Sequence, residues 1–295
     1  ILIDYYMHRA RMLSAQIRYK RLDPNLSLYQ TPTQTLYWLN PWIEAGVDRA
    51  EIKKVSANAY LKKGDGIYFS RALLGKEFNR LCHFSLPMHY IIDDDYEALS
   101  QDYTIPVRYR KKMEAFAKDV LPLICGSDQV FLYAASPILA KKYGCVERQP
   151  HWIKPPEVKK KSRAVNNKLK LGFLSSASHL GDLDQLIHVW MPSLNEVLAS
   201  KNILANVTHY LKTHIDQNTI PSHSHISWNH QYALPWKNYR HTVFGAGYDA
   251  ILYPLSESPA NQARSRSKWI EAENMGLPLF SKRSDLLHWV EKIDN

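Results

Sequence analysis

The feature that most constrains this chain is a change of period that repeats through its second half. Short apolar runs alternate with segments of helical spacing. Leu169–Leu174, Ala205–Leu211, His225–Trp228, Asp249–Tyr253 and Pro278–Ser281 read as strands. Leu183–Ser200, Trp236–Phe244, Pro259–Met275 and Asp285–Lys292 read as helices. Strands that alternate with helices are returned parallel to one another, and their sheet is covered on both faces. Pro192 is expected to bend its helix, because proline removes a helix hydrogen bond.

The first half is less regular but has the same character. Asp65–Ser70 and Met88–Ile92 read as strands. Arg9–Arg21, Thr35–Ala45 (despite Pro41), Arg108–Val120 and Ser136–Tyr143 read as helices. Between the halves, Lys154–Arg163 is charged, carries Pro155 and Pro156, and has no apolar periodicity, as a linker does. We therefore expect two α/β domains, residues 1–155 and 169–295, joined by a linker at 156–168 and facing a cleft. A chain of 295 residues is long enough to bury two cores.

Composition excludes several classes. Charged residues make up 22% and apolar residues 45%, the balance of a globular protein and not of a disordered one. No apolar run reaches the ~18 residues of a membrane span. The start, Ile1–Tyr6, lacks a signal peptide's charged region and cleavage site. Cys82, Cys125 and Cys145 are far apart, with neither a disulfide framework nor zinc spacing, and read as reduced thiols of a cytoplasmic protein. The net charge of +10 favours anionic partners: phosphorylated small molecules, anionic lipid or nucleic acid.

Three segments carry chemistry. In the first, the strand at Asp249–Tyr253 runs through a short loop to Ser258-Pro259, a favoured N-cap and first helical residue. Gly276 is placed to cap that helix's far end in a left-handed conformation. On one helix, Arg264, Lys268 and Glu271 fall at i, i+4 and i+7, with Asn261 and Ser265 beside them. Two cations and two hydrogen-bonding side chains suit a diphosphate, and a carboxylate farther along suits a ribose diol. The competing reading is a solvated face with an ordinary Lys268–Glu271 pair. The second segment, Leu171–Leu183, is a strand, a small-residue loop with Ser175 and Ser176, and then His179 and Asp182. Small residues there let backbone N–H groups approach a phosphate. Asp182 or Ser178 can cap the following helix. In the third, a strand runs into Asp93-Asp94-Asp95, which offers a general base for an acceptor hydroxyl. Capping and turn formation by adjacent aspartates is the alternative.

Together, Tyr248–Leu255, Asn261–Pro278, the His179-x-x-Asp182 loop, and Gly64–Arg71 with His89–Asp95 resemble bacterial GT-B glycosyltransferases. The resemblance implies two Rossmann-like domains. Ser175, Ser176, His179, Asn261, Arg264, Ser265, Lys268 and Glu271 would bind the donor, with Lys268 on its diphosphate and Glu271 on its ribose. Asp93, Asp94 and Asp95 would be the base candidates. Asp93 and Asp95 also have the spacing of a DxD metal site, but that motif belongs to a different transferase fold, so transfer without a metal or other cofactor is expected. The partners implied are a nucleotide-sugar donor and a glycan or lipid-linked acceptor, with no nucleic acid. Basic stretches and the apparently exposed Trp38 and Trp42 lead us to expect contact with an anionic membrane at its cytoplasmic face. Many retaining members carry Glu eight residues before Glu271, where this chain has Ala263, so stereochemistry stays open. The family's closing helix has no counterpart before Asn295, which leads us to expect a piece of a longer chain. Two other functions remain open: a basic nucleic-acid-binding protein using Arg108–Lys112, Lys159–Lys161 and Arg9–Arg11, and a catalytically inactive nucleotide-sugar-binding domain.

Overall fold

The structure, a computed structural model, describes residues 27–155, 168–175, 179–211 and 220–293, together with Ala10, Leu13 and Asn25. The expected helix Arg9–Arg21 and residues 156–167 of the expected linker lie outside the described residues, apart from Ala10 and Leu13. So do Ser176 and Ser178.

Two sheets form. The first has six strands in the order β1 (Ile52–Ser56), β2 (Ala59–Lys62), β3 (Gly66–Ser70), β4 (Met88–Ile92), β5 (Val130–Ala134) and β6 (Val146–Glu147). β1 to β3 are an antiparallel meander, and β3 to β6 run parallel. The second sheet comprises β7 (Lys168–Phe173), β8 (Leu204–Leu211), β9 (Ile226–Tyr232), β10 (Ala250–Leu252) and β11 (Leu279–Phe280). Its order is β11-β10-β7-β8-β9, with every pair parallel, as the alternation requires.

The helices are α1 (32–44), α2 (Gly75–Cys82), α3 (Tyr96–Gln101), α4 (107–125), α5 (Pro137–Tyr143) and α6 (180–200). They continue with α7 (Trp236–Phe244), α8 (Pro259–Gln262), α9 (Ser267–Met275) and α10 (Arg283–Glu291). Three of them contain an internal proline and pass it by the same device. Just before Pro41, Pro122 and Pro192, one turn widens to π geometry, with Asn40, Leu121 and Met191 donating to the carbonyl five residues back. The wider turn relieves the clash between a proline ring and the carbonyl four residues earlier, so the helix continues past the proline.

Side chains alternate across each sheet as strand geometry dictates. On β3 and β4, Ile67, Phe69, Met88, Tyr90 and Ile92 face one core, while Tyr68 and Ile91 face another under α1. On the second sheet, Leu171, Phe173, Val207 and Leu252 pack against α6 and α10, and Ile251 packs toward α7 and α9. Trp38 and Trp42, expected from sequence to be exposed, are instead buried, at 0% and 6% accessible. Trp38 packs edge-on against Tyr68 and Tyr133, and Trp42 against Tyr60 and Tyr68, because α1 turns its aromatic face onto the sheet.

Candidate active site

The carboxyl ends of the parallel strands deliver the chemistry. β3 leads to Arg71, β4 to Asp93–Asp95, β5 to Ser136, β7 to Ser175 and His179, and β10 to Ser256. The second sheet grows from β7 through β8 and β9 in one direction, then resumes with β10 and β11 on the other side of β7. The gap between β7 and β10 is thus the point where strand order reverses, the usual ligand position in an open parallel sheet.

A buried carboxylate holds that point together. Asp182, 2% exposed, accepts at Oδ1 from the Ser256 N–H (2.9 Å), the Ser256 hydroxyl (2.9 Å) and Asn261 Nδ2 (3.0 Å). Its Oδ2 lies 2.6 Å from His179 Nδ1. Of the two cap candidates read from sequence, Asp182 lies inside the first turn of α6 and spends its oxygens across the switch point, and Ser178 lies outside the described residues. Burial opposes its charge, but His179 and Ser256 outweigh burial and hold its pKa below the ordinary value. His179 is pushed down to about 4 by burial, then by the Arg264 cation, against the pull of Asp182. The neutral ring donates from Nδ1 to the carboxylate, which leaves Nε2 with its lone pair.

The segment after β10 departs from expectation. Pro259–Met275 is not one helix but α8 and α9, interrupted at residues 263–266. Ser258 caps α8 through the Asn261 N–H, as read from sequence, and Gly276 closes α9 at φ 65°. In a continuous helix the Ser267 N–H would donate to the Ala263 carbonyl. Here that carbonyl accepts from the Ser136 hydroxyl at 2.7 Å, and the Ser267 N–H turns to Ser265 Oγ at 3.4 Å. A bond from the first sheet has replaced a helix bond. Arg264 and Ser265 accordingly lie in the turn, and Lys268 and Glu271 in the first half of α9.

In this arrangement Arg264 donates from Nε to Asn261 Oδ1 at 3.1 Å and from Nη1 to Asp94 Oδ1 at 3.4 Å, which links the two sheets. Lys268 Nζ contacts Glu271 Oε2 at 2.5 Å and donates to the Tyr239 hydroxyl at 2.9 Å. That hydroxyl donates in turn to Glu271 Oε1 at 2.7 Å. Glu271 is 2% exposed, with both oxygens engaged inside the protein. Tyr239 closes this triad and was not among the residues read from sequence. Its α7 position lies about 30 residues upstream, with no local motif to mark it. Ser175 is buried at the end of β7, and its hydroxyl has no hydrogen-bond partner among the described residues.

The three adjacent aspartates have three different surroundings. Asp95 caps α3 through the Ala98 N–H (3.1 Å) and pairs with Lys142 (2.8 Å), which is the capping alternative. Asp93 accepts from the Thr33 hydroxyl and the Tyr96 hydroxyl, each at 2.5 Å. Asp94 faces Arg264, and burial, with Asp93 adding to it, raises its pKa to about 6 against the pull of Arg264. Beside it a small cavity of about 20 Å³, enough for one water, is lined by Arg71, Asp93, Asp94, Tyr96, Tyr109 and Lys112. Arg71 adopts a left-handed backbone, φ 68°, rare outside glycine and enriched where function holds strain. Among the described residues, no group of three or more His, Cys, Asp or Glu side chains is arranged to hold a metal.

The molecule is thus a mixed α/β protein in which residues that follow the carboxyl ends of parallel strands in both sheets meet in one cluster of charged side chains of both signs. No known protein family and no curated protein matches the sequence. Among solved structures the chain is similar to the pneumococcal O-GlcNAc transferase GtfA, determined in complex with UDP and GlcNAc. The two are 11% identical with a TM-score of 0.36, over 77% of this chain and 48% of that one. The chain therefore spans about half the length of that protein. Among the described residues, no helix is long and apolar enough to cross a membrane.

Proposed function

We propose that this protein transfers a sugar from a nucleotide-activated donor to a glycan or lipid-linked acceptor. The observation that carries the reading is the meeting of His179 with Asn261, Arg264 and Lys268 of the α8–α9 segment at the second sheet's switch point, opposite Asp94 of the first sheet. In this reading the halves act as acceptor and donor domains. Arg264 and Lys268 take the diphosphate, aided by Ser175, Ser176 and Ser265. Negative charge grows on the diphosphate as the glycosidic C–O bond breaks and the electron pair departs with phosphate oxygen. Fixed cations in a poorly hydrated site stabilise that charge. In an inverting transfer, Asp94 takes the proton from the acceptor hydroxyl as its oxygen bonds to the sugar carbon. A carboxylate with its pKa near 6 is better matched to neutral pH than an ordinary one.

A thermal-shift screen of nucleotide sugars tests this. A ligand at 100-fold its dissociation constant adds about 2.7 kcal/mol. Stabilisation by one class of nucleotide sugar, with release of its nucleoside diphosphate on adding acceptor, is expected; no stabilisation across uridine, guanosine and thymidine donors ends the reading. We also propose docking on anionic membrane, supported by the net charge of +10 alone now that Trp38 and Trp42 are buried. Flotation with anionic vesicles at low salt, lost at high salt, is the expected result.

A further inference from the structure

The Arg264–Asp94 contact joins a residue of the proposed donor site to a residue of the proposed acceptor site. At 3.4 Å it is longer than a strong charge-assisted bond, so it is a weak contact, yet its side chains are only 11% and 24% exposed and it is largely shielded from water. Asp94's own neighbours Asp93 and Asp95 are committed elsewhere, to Thr33, Tyr96 and Lys142. The other groups facing Asp94 are Arg71 after β3, Tyr37 from α1, Tyr96 from α3, and Tyr109 and Lys112 from α4. Tyr253 faces it from the second sheet.

We propose that Asp94 and the donor diphosphate compete for Arg264, so that donor capture at the second sheet is coupled to proton uptake by Asp94 on the first. This rests on the reading of Arg264 as a diphosphate ligand. A guanidinium prefers the paired oxygens of a diphosphate to one long contact with a carboxylate. Once Arg264 turns away, Asp94 keeps its burial and its acidic neighbours but loses a principal cation. Its pKa, already about 6 with Arg264 beside it, then rises toward the neutral range. Over that window the complex holds more protons than the free protein. Donor affinity therefore increases as pH falls through it. The two halves of the site thereby sense each other through one shared guanidinium: donor binding raises the basicity of Asp94, which acts as the base above that window, where the carboxylate stays ionised.

Calorimetry at pH 6.5, in two buffers of different ionisation enthalpy, tests the coupling. The probes are UDP-glucose, GDP-mannose and dTDP-glucose, whose diesterified diphosphates do not titrate in this range. The unmodified protein is expected to take up a measurable fraction of a proton on binding. Asp94→Asn is expected to bind the same probe about 3- to 10-fold more tightly and to take up none. Equal or weaker binding by Asp94→Asn, or no proton uptake by the unmodified protein, overturns the coupling and leaves the donor site standing. Failure of all three probes to bind the unmodified protein overturns the donor site and the coupling together.

Discussion

Lys268, Glu271 and Tyr239 form a closed set of bonds, and that geometry changes what each substitution should do. The resemblance to GT-B enzymes assigns Lys268 to phosphate and Glu271 to ribose, but Glu271 spends both oxygens on its protein neighbours. Lys268 uses two of the three donors of an ammonium on them. Lys268→Gln keeps a hydrogen-bonding group over the buried carboxylate while removing the charge. Charge-assisted bonds contribute about 1.5–3 kcal/mol, so nucleoside diphosphate affinity should fall roughly 10-fold or more. Isothermal titration of a protein with unchanged circular dichroism checks this. Glu271→Gln should weaken a nucleoside diphosphate and inorganic pyrophosphate alike, because it removes the buried carboxylate that, with Tyr239, positions the lysine both would use. A loss confined to the nucleoside would return the carboxylate to the ribose. None of this was legible in the sequence beyond the i, i+3 spacing of Lys268 and Glu271, because Tyr239 joins them from another helix.

At the scale of elements, local pattern and tertiary contact can be separated. The parallel strands of the second sheet were readable because each is an apolar run bounded by turn residues. The helices through Pro41 and Pro192 were readable because their apolar faces continue past the proline. β1 and β2 were not readable: Lys53, Lys54 and Lys62 leave no apolar run, and Lys53 and Lys54 face water. The split between α8 and α9 was not readable either, since its cause is the Ser136 hydroxyl, 127 positions away. The candidate site followed the same rule. Spacing left a solvated face as the competing reading and the roles came from the resemblance, while the separate surroundings of Asp93, Asp94 and Asp95 come from Thr33, Arg264 and Lys142. One element boundary gives a test. Gly66 opens β3 where a Cβ would lie 2.4 Å from the Pro87 carbonyl oxygen, next to the β3–β4 pairing. A backbone oxygen there cannot step aside alone, so Gly66→Ala should destabilise by about 1–3 kcal/mol in urea unfolding.

For the whole molecule, buried histidines set the response to acid. His179 and His209 are 7% and 1% exposed, and each is held to a pKa of about 4, mainly by burial. Between about pH 6.5 and 4 the unfolded chain binds protons at these positions that the folded chain does not. Stability at both sites is therefore full above pH 6.5 and declines as pH falls, by about 3 kcal/mol per histidine. Asp94 acts in the opposite sense. Its folded pKa is raised, so the folded state takes up its proton first and gains about 3 kcal/mol on the way down from pH 6. From these three groups, a net loss of about 3 kcal/mol is expected between pH 6.5 and 4. Urea unfolding at pH 7 and 4.5 should show it, and His209→Gln should remove most of the difference.

Ala263 sets a limit on what its position can accept. It is 1% exposed, packed with Ala260 into the hydrophobic core of the first sheet, and its carbonyl is taken by Ser136. This is the position where many retaining enzymes of the resembling family carry glutamate. Introducing that carboxylate would drive a charge between two apolar layers, so Ala263→Glu should lower the melting temperature sharply. Because this residue also lends its backbone carbonyl to Ser136, the damage should reach the seam between the two sheets and not stay within the turn between α8 and α9.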